Sequence, residues 1–145
     1  MSNYANVFEG LKNLPHNTVD GVPYGVPHGR GANLLQYRTD IVQPAPDSWS
    51  VVWDENSPYK GKVTAYDSPI YIADAAIYLK ATRPELNITD VYELDDKQFQ
   101  AAVDLLKQQR QLIGEYWSDY TKQAAAFTSG DSVVGTTWQV ITNAL

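Results

Sequence analysis

The stretch VTAYDSP, residues 63–69, decides how the fold of this sequence is interpreted. A β-branched and apolar run stops at Asp67, and Ser68-Pro69 is typical of a helix start, with serine at the N-cap and proline at the first helical position. The stretch therefore predicts a strand that passes directly into a helix, which extends to about Thr82. Asp67 at the junction either caps that helix or lies at the mouth of the strand to hold a positive charge.

The same alternation of strand and helix continues along the chain. After an irregular opening with a turn at Asp20-Gly21, strands are predicted at 33–37, 60–67, 115–118 and 132–141, and helices at 48–55, 68–82, 93–113 and 119–130. Glycines at 114 and 130 are expected to end the two later helices. This order predicts an α/β fold, a three-layer sandwich with a mostly parallel central sheet.

Composition argues against several functional classes. The net charge of −6 disfavours nucleic-acid binding, because phosphate binding needs a basic surface. The absence of cysteine removes disulfides, thiolate metal sites and cysteine nucleophiles, and two histidines make a histidine-rich metal site unexpected. No run of residues fits a membrane span, and the opening MSNYANVFEG lacks the pattern of a signal peptide. We therefore expect neither a metal nor a cofactor.

The ends of the predicted strands supply the candidate ligand-binding residues. In sheets of this type ligands collect beyond the carboxyl ends of the strands. The residues at those ends are Asp67, Ser118 with Asp119, and Trp138. Each also has a structural interpretation: the polar residues fit helix caps, and the tryptophan fits a buried core position.

Arg30 is a further candidate, in the glycine-flanked stretch PHGRG at residues 27–31. Its guanidinium either binds a ligand carboxylate through two parallel hydrogen bonds or forms a structural salt bridge. His28 is expected to be structural. The glycines lack the spacing of a dinucleotide-binding loop, and no motif of a hydrolase, phosphate-binding loop or zinc protease is present. No catalytic residue and no enzymatic activity are predicted.

Three segments in order resemble one protein family. They are VPYGVPHGRGANLLQY (22–37), SWSVVWDENSPYKGKVTAYDSP (48–69) and GEYWSDYTKQAAAFTSGDSVVGTTWQVI (114–141). Together they resemble the type II periplasmic solute-binding proteins, in particular the spermidine/putrescine-binding branch that serves ABC transporters. Members have two lobes around a cleft and more than twice this length. The resemblance implies that residues 1–145 form a single second lobe, excised between hinge-like strands near 24–37 and 133–142, with Met1 as an added start.

The resemblance also implies roles for the candidate residues. In that family the acid after this strand contacts a ligand nitrogen, the serine of the second loop hydrogen-bonds the ligand, and the tryptophan of the returning strand faces the cleft. Asp67, Ser118 and Trp138 occupy those places, with Asp119 as a secondary candidate. Ile70 and Tyr71 stand where a second acid would help, so Asp67 is expected to hold one amine.

Function and partners follow from the same resemblance. The chain is expected to be the ligand-binding lobe of an ABC importer's receptor for a small amine-bearing, polyamine-like solute, with weak or no binding by itself. Arg30 replaces an aromatic residue, which leaves an amino-acid-like zwitterion as an alternative ligand. The other alternative is the effector-sensing module of a transcriptional regulator.

Several partners are implied for the parent protein. They are a missing first lobe and an ABC permease, and the parent would be periplasmic or otherwise extracytoplasmic. The apolar surface that the first lobe would cover is expected to favour a homodimer of the isolated lobe. No nucleic-acid partner is expected.

Overall fold

The segment up to Ala32 is mostly irregular, as its sequence predicts, and forms the first of two units. In the computed structural model, which describes residues 2–145, this segment holds short 3-10 helices and an antiparallel hairpin of β1 (Thr18–Val19) and β2 (Val22–Pro23). The predicted turn at Asp20-Gly21 is confirmed, since both residues have the positive φ angles, 48° and 77°, that a two-residue hairpin loop requires. The expectation drawn from Met1 lies outside the described residues.

The second unit, Asn33–Leu145, contains the predicted alternation of strands and helices. Its elements are β3 (Asn33–Tyr37), α1 (Ser50–Trp53), β4 (Val63–Tyr66), α2 (Tyr71–Thr82), α3 (Asp96–Gln109), β5 (Ile113–Trp117), α4 (Tyr120–Ser129), β6 (Val134–Trp138) and α5 (Gln139–Thr142). A short 3-10 helix, Pro84–Leu86, lies between α2 and α3. Within residues 2–145, each helix is too short or too polar to cross a membrane.

The four longer strands form one mixed sheet in the order β3-β6-β4-β5. Strand β4 pairs in parallel with both β5 and β6, and only β3 runs antiparallel, beside β6. The prediction of a mostly parallel sheet is therefore confirmed. Because parallel strands point the same way, the carboxyl ends of β4, β5 and β6 meet at one edge of the sheet.

Helices cover both faces of this sheet, which gives the predicted three layers. On one face, the buried amide of Gln109 in α3 donates to the Val52 carbonyl of α1 and to the Tyr71 hydroxyl of α2, each at 2.9 Å. On the other face, the buried amide of Gln123 in α4 donates to the Thr64 hydroxyl at 3.0 Å and accepts from the Thr137 hydroxyl at 2.8 Å. Each amide satisfies buried polar groups that would otherwise destabilise the core.

Two predicted helix boundaries are wrong. Helix α2 begins at Tyr71 rather than at Ser68-Pro69, because residues 68–71 form a turn in which the Tyr71 amide donates to the Ser68 carbonyl. Helix α3 ends at Gln109, and Gly114 lies inside β5 instead of terminating the helix. A side chain at Gly114 would overlap the carbonyl of Gly61, so glycine is needed there for close strand contact.

The last predicted strand is shorter than expected. Strand β6 ends at Trp138, and Gln139–Thr142 turn into helix α5. At the other proposed hinge, only Asn33–Tyr37 of the range 24–37 forms a strand of the sheet. The assignment of these segments as hinges, and of the chain as one lobe, stays a prediction.

Replacement of Gly135 by alanine is expected to destabilise the sheet. A Cβ atom at this position of β6 would overlap the Thr64 hydroxyl of β4 and lie 2.5 Å from the Thr64 carbonyl oxygen. The backbone of Thr64 cannot move aside as a flexible side chain can. We therefore expect Gly135→Ala to lower the free energy of unfolding by about 1–3 kcal/mol in urea titrations. Gly29→Ala is the control, because a Cβ atom added there would meet no atom within 4 Å apart from those of Gly29 and its two chain neighbours. A Gly135→Ala protein as stable as that control would contradict the packing of β4 against β6.

Candidate functional site

An aromatic residue ends each of the three parallel strands. Tyr66 is the last residue of β4, Trp117 of β5 and Trp138 of β6. Because these ends share one edge of the sheet, the three rings contact one another, and we refer to them as the aromatic cluster. Their centroids are 4.8 Å apart for Tyr66–Trp117, 5.0 Å for Tyr66–Trp138 and 5.1 Å for Trp117–Trp138.

The cluster is layered from the interior to the surface. Trp117 is fully buried, Tyr66 is half-buried, and Trp138 leaves 36% of its area exposed. Trp138 meets both other rings edge to face, an arrangement that aromatic quadrupoles favour. The cluster therefore presents one partly exposed indole at the surface, supported from below by two packed rings.

Asp67 follows the cluster residue of β4 directly and does not cap helix α2. The residue preceding that helix is Ile70, which makes no side-chain cap bond. The Asp67 amide donates to the Trp117 carbonyl at 2.8 Å, which extends the pairing of β4 and β5 by one residue. Its side chain is exposed, and it takes part in none of the ion pairs found among residues 2–145. The helix-cap interpretation of Asp67 is therefore wrong, and its exposed carboxylate is a candidate for binding a cation.

The charge of Asp67 acts on a neighbouring tyrosine. Burial raises the pKa of the Tyr116 hydroxyl, the nearby guanidinium of Arg110 lowers it, and the Asp67 carboxylate raises it further. Asp67 therefore lies close enough to Tyr116 for their charges to interact. Tyr116 lies in β5, and Asp67 directly follows the neighbouring strand β4, so both residues belong to the same edge of the sheet.

Ser118 and Asp119 follow β5 and differ in what they do. Asp119 caps helix α4, since its Oδ1 accepts from the Thr121 amide at 2.7 Å and from the Thr121 hydroxyl at 2.6 Å. Hydrogen bonds from the Thr121 hydroxyl and amide lower the pKa of the Asp119 carboxyl. Ser118 is exposed and lies in the chain between Trp117 of the aromatic cluster and this cap. Asp119 therefore has the structural role of a helix cap, whereas Ser118 is exposed at the edge of the sheet and stays a predicted ligand contact.

A hydrogen-bonded chain joins Trp138 to a carboxylate that the sequence analysis did not consider. The indole Nε1 of Trp138 donates to the Asn33 side-chain oxygen at 3.1 Å. The Asn33 Nδ2 donates to both carboxylate oxygens of Asp74, at 3.0 and 3.1 Å. Burial raises the pKa of the Asp74 carboxyl, and the Asn33 hydrogen bond acts in the opposite direction. A second acid therefore lies at this edge, one helical turn beyond the position where Ile70 stands.

Arg30 belongs to the unit up to Ala32 and is described with that unit alone. It is exposed and lines a cavity of about 720 Å³ together with His28, His16 and residues of the stretches 10–17 and 25–29. The described residues that line this cavity include no acid, and Arg30 takes part in none of the ion pairs found among residues 2–145. The predicted contact of Arg30 with a ligand stays a prediction.

The groups at this edge of the sheet are of kinds that bind small cations in proteins. An ammonium group is stabilised by about 0.5–2 kcal/mol over an aromatic face, and its hydrogen bonds to a carboxylate are stronger than neutral ones. Trp138 offers the face, and Asp67 and Asp74 offer the carboxylates. Residues 2–145 contain no group of three or more His, Cys, Asp and Glu side chains that could hold a metal ion.

Comparison with known proteins identifies the family. The family model of the bacterial extracellular solute-binding proteins matches residues 2–144, almost the entire chain. The chain belongs to this family. The resemblance to solute-binding proteins is thereby confirmed, and the family consists of binding proteins rather than enzymes.

The fold of this solute-binding protein is also found in a solved structure. The spermidine/putrescine ABC transporter substrate-binding protein PotD from Streptococcus pneumoniae, determined in complex with calcium and HEPES, matches with a TM-score of 0.61 and 18% sequence identity. The match covers 77% of this chain and 31% of that chain. At this identity the match confirms the α/β fold, and the matched part spans less than a third of the PotD chain.

Four residues of the site escaped the sequence analysis, and they are Tyr66, Trp117, Asn33 and Asp74. The aromatic residues were recognisable, because each of the segments VTAY, EYW and GTTW ends in one. Asp74 was recognisable too, since residues four apart on a helix share a face and Asp74 follows Ile70 by four. Asn33 gave no signal, because its role depends on the pairing of β3 with β6.

Loss of the Asp119 cap is expected to change stability in a pH-dependent way. A lowered pKa means that the carboxylate stabilises the fold above the unfolded-state pKa of about 3.9, and that this contribution disappears as the pH falls through the lower folded-state value. We therefore expect Asp119→Ala to lower the urea midpoint near neutral pH and to differ less from the wild type at about pH 3. Asp47→Ala, in an exposed loop, is the control and should change neither. A difference that grows on acidification would contradict the cap.

Proposed function

We propose that this solute-binding protein binds a small amine-bearing solute at the carboxyl edge of its sheet. The observation that supports the proposal is the exposed Asp67 carboxylate, which has no ion-pair partner among residues 2–145 and directly follows Tyr66 of the aromatic cluster in the chain. An ammonium group that reaches both would gain a charge-assisted hydrogen bond and a cation–π contact.

The other residues of the edge extend this site. Ser118 supplies an exposed hydroxyl that accepts from a ligand N–H, next to the buried Trp117. Asp74 supplies a second carboxylate, joined to Trp138 through Asn33, so the site holds more negative charge than Asp67 alone. This arrangement favours a polyamine-like solute over one with a single amine, because each added ammonium can be compensated by an acid.

The proposed role in the cell is delivery of the solute to an ABC permease. The fold similarity to a substrate-binding protein of an ABC transporter supports this role, and the parent protein would act outside the cytoplasm. A two-lobed receptor closes around its ligand by a hinge movement. In this proposal the chain supplies one side of the cleft, and its affinity by itself is weak because the contacts of the first lobe are missing.

The first test is a titration of the chain with putrescine, spermidine and, for comparison, glutamine, followed by the indole N–H signals in NMR spectra. We expect millimolar binding of the two polyamines, with shifts of the Trp138 and Trp117 signals. Asp67→Asn removes the charge and keeps the shape, so we expect the affinity to fall roughly 10- to 100-fold, the range of one charged hydrogen bond.

Asp47→Asn is the matched control, since it removes one negative charge from an exposed loop outside the proposed site. If it lowered the affinity as much as Asp67→Asn, the effect would be one of net charge. Tighter binding of glutamine than of the polyamines would instead favour the amino-acid-like ligand, with Arg30 as the carboxylate partner. Micromolar binding by this chain alone would overturn the proposal that half of the site is missing.

Self-association is expected from the same surface. Several large apolar side chains near the edge are exposed, namely Ile70, Tyr116, Tyr120, Trp138 and Val140. Because exposed apolar surface of this kind is favoured as an interaction site, sedimentation velocity should show a dimer fraction that increases with protein concentration. Ile70→Lys should reduce that fraction, with Ile77→Lys on a later turn of α2 as the control. A monomer at every concentration would contradict this expectation.

A further inference from the structure

Asn33 occupies the end of the sheet where β3 and β6 pair. It is the first residue of β3, and in the antiparallel register it lies opposite Trp138, the last residue of β6. Its amide contacts Trp138 through the oxygen and Asp74 through the nitrogen. One side chain thus joins two strands to the first turn of helix α2.

The two ends of this amide are not interchangeable. An asparagine amide has one end that accepts hydrogen bonds and one that donates them. The carboxylate of Asp74 only accepts, and the indole of Trp138 only donates. Rotation of the Asn33 amide by half a turn would bring two donors together at Trp138 and two acceptors together at Asp74. The negative charge of Asp74 therefore fixes which end of Asn33 faces Trp138.

Asp74 depends on this contact in turn. It takes part in none of the ion pairs found among residues 2–145, and it is partly removed from solvent. Both of its carboxylate oxygens accept from the same Asn33 nitrogen. A partly buried carboxylate that accepts from an amide with both of its oxygens holds that amide more firmly than a neutral acceptor would.

We propose that Asn33 is a positioning residue through which the Asp74 carboxylate sets the orientation of the Trp138 ring. The Trp138 indole has one hydrogen-bond donor, and Asn33 occupies it, so the ring cannot turn without loss of that bond. The partly exposed Trp138 ring is thereby held in a fixed direction against Tyr66 and Trp117. A fixed aromatic face loses less conformational freedom when a solute binds, which increases affinity. This last consequence rests on the proposed function, whereas the positioning itself does not.

The test uses the whole chain labelled with 5-fluorotryptophan and observed by fluorine NMR in the absence of any solute. The chain has four tryptophans, and Trp138→Phe identifies the signal of Trp138. We expect Asp74→Asn to shift or broaden that signal, because a neutral amide no longer fixes the orientation of Asn33. The exchange of the Trp138 indole N–H with water should accelerate several-fold in Asp74→Asn and about tenfold or more in Asn33→Ala, in line with the strength of one hydrogen bond.

Asp104→Asn is a matched control, because it also neutralises a helix carboxylate that accepts from an amide, in this case Gln100 Nε2 at 2.8 Å. It should leave the Trp138 signal and its exchange unchanged. Far-UV circular dichroism verifies that the variants are folded, and Asp74→Ala replaces Asp74→Asn if the latter is not. The proposal is overturned if Asn33→Ala alters Trp138 while neither Asp74 variant does, or if Asp104→Asn has the same effect.

The outcomes separate this inference from the proposed function. If Trp138 responds to Asp74→Asn but no amine binds, the positioning stands and the proposed ligand class is wrong. If amines bind and Asp67→Asn lowers their affinity, while the Trp138 signal does not change in Asp74→Asn, the proposed function stands and the positioning is wrong.

Discussion

Parallel pairing of β4 with strands on both sides is the constraint on which the candidate site depends. It aligns the carboxyl ends of β4, β5 and β6, and each of these strands ends in an aromatic residue. The close approach of β6 to β4 requires Gly135, because any side chain there would overlap Thr64. The buried amide of Gln123 then connects the same two strands. Three residues distant in sequence become a cluster only because these contacts fix the register.

The electrostatics of the edge support the proposal that it binds a cation. Asp67 is exposed without an ion-pair partner among residues 2–145, and Asp74 is partly buried with an amide as its partner. Asp119 differs because its carboxylate already accepts a hydrogen bond from the Thr121 amide at the start of α4. The protein as a whole carries a net charge of −6, so a cationic solute meets a favourable field before it reaches the site. Local carboxylates and the overall charge therefore act in the same direction.

Much of the fold could be predicted from local patterns. The strand at 33–37 follows from its apolar pattern. The helix that ends at Ser129 follows from its apolar periodicity and from Gly130, a glycine with the left-handed φ that is typical after a helix end. The start of α2 was predicted wrongly, because Ser68-Pro69 fits a turn as well as a helix start. Gly114 fits a helix end in the sequence, but it lies in β5, where the absence of a side chain permits the contact with Gly61. Local sequence patterns predict the role of a residue wrongly where that role depends on a contact with a residue distant in the sequence.

In the candidate site, too, some features could be predicted from the sequence and others depend on contacts between distant segments. The sequence by itself established the α/β class, the family resemblance and the strand-end residues Asp67, Ser118 and Trp138, because strand ends and polar residues are visible in a single segment. It could not reveal the strand order, the contact among the three aromatic rings or the chain from Asp74 through Asn33 to Trp138. Those features arise when β3 pairs with β6 and α2 packs beside them, so they depend on distances between segments up to about a hundred residues apart, as for Asn33 and Trp138. Hydrogen bonds and ring contacts act over a few ångströms, and only the folded chain brings these groups within that range.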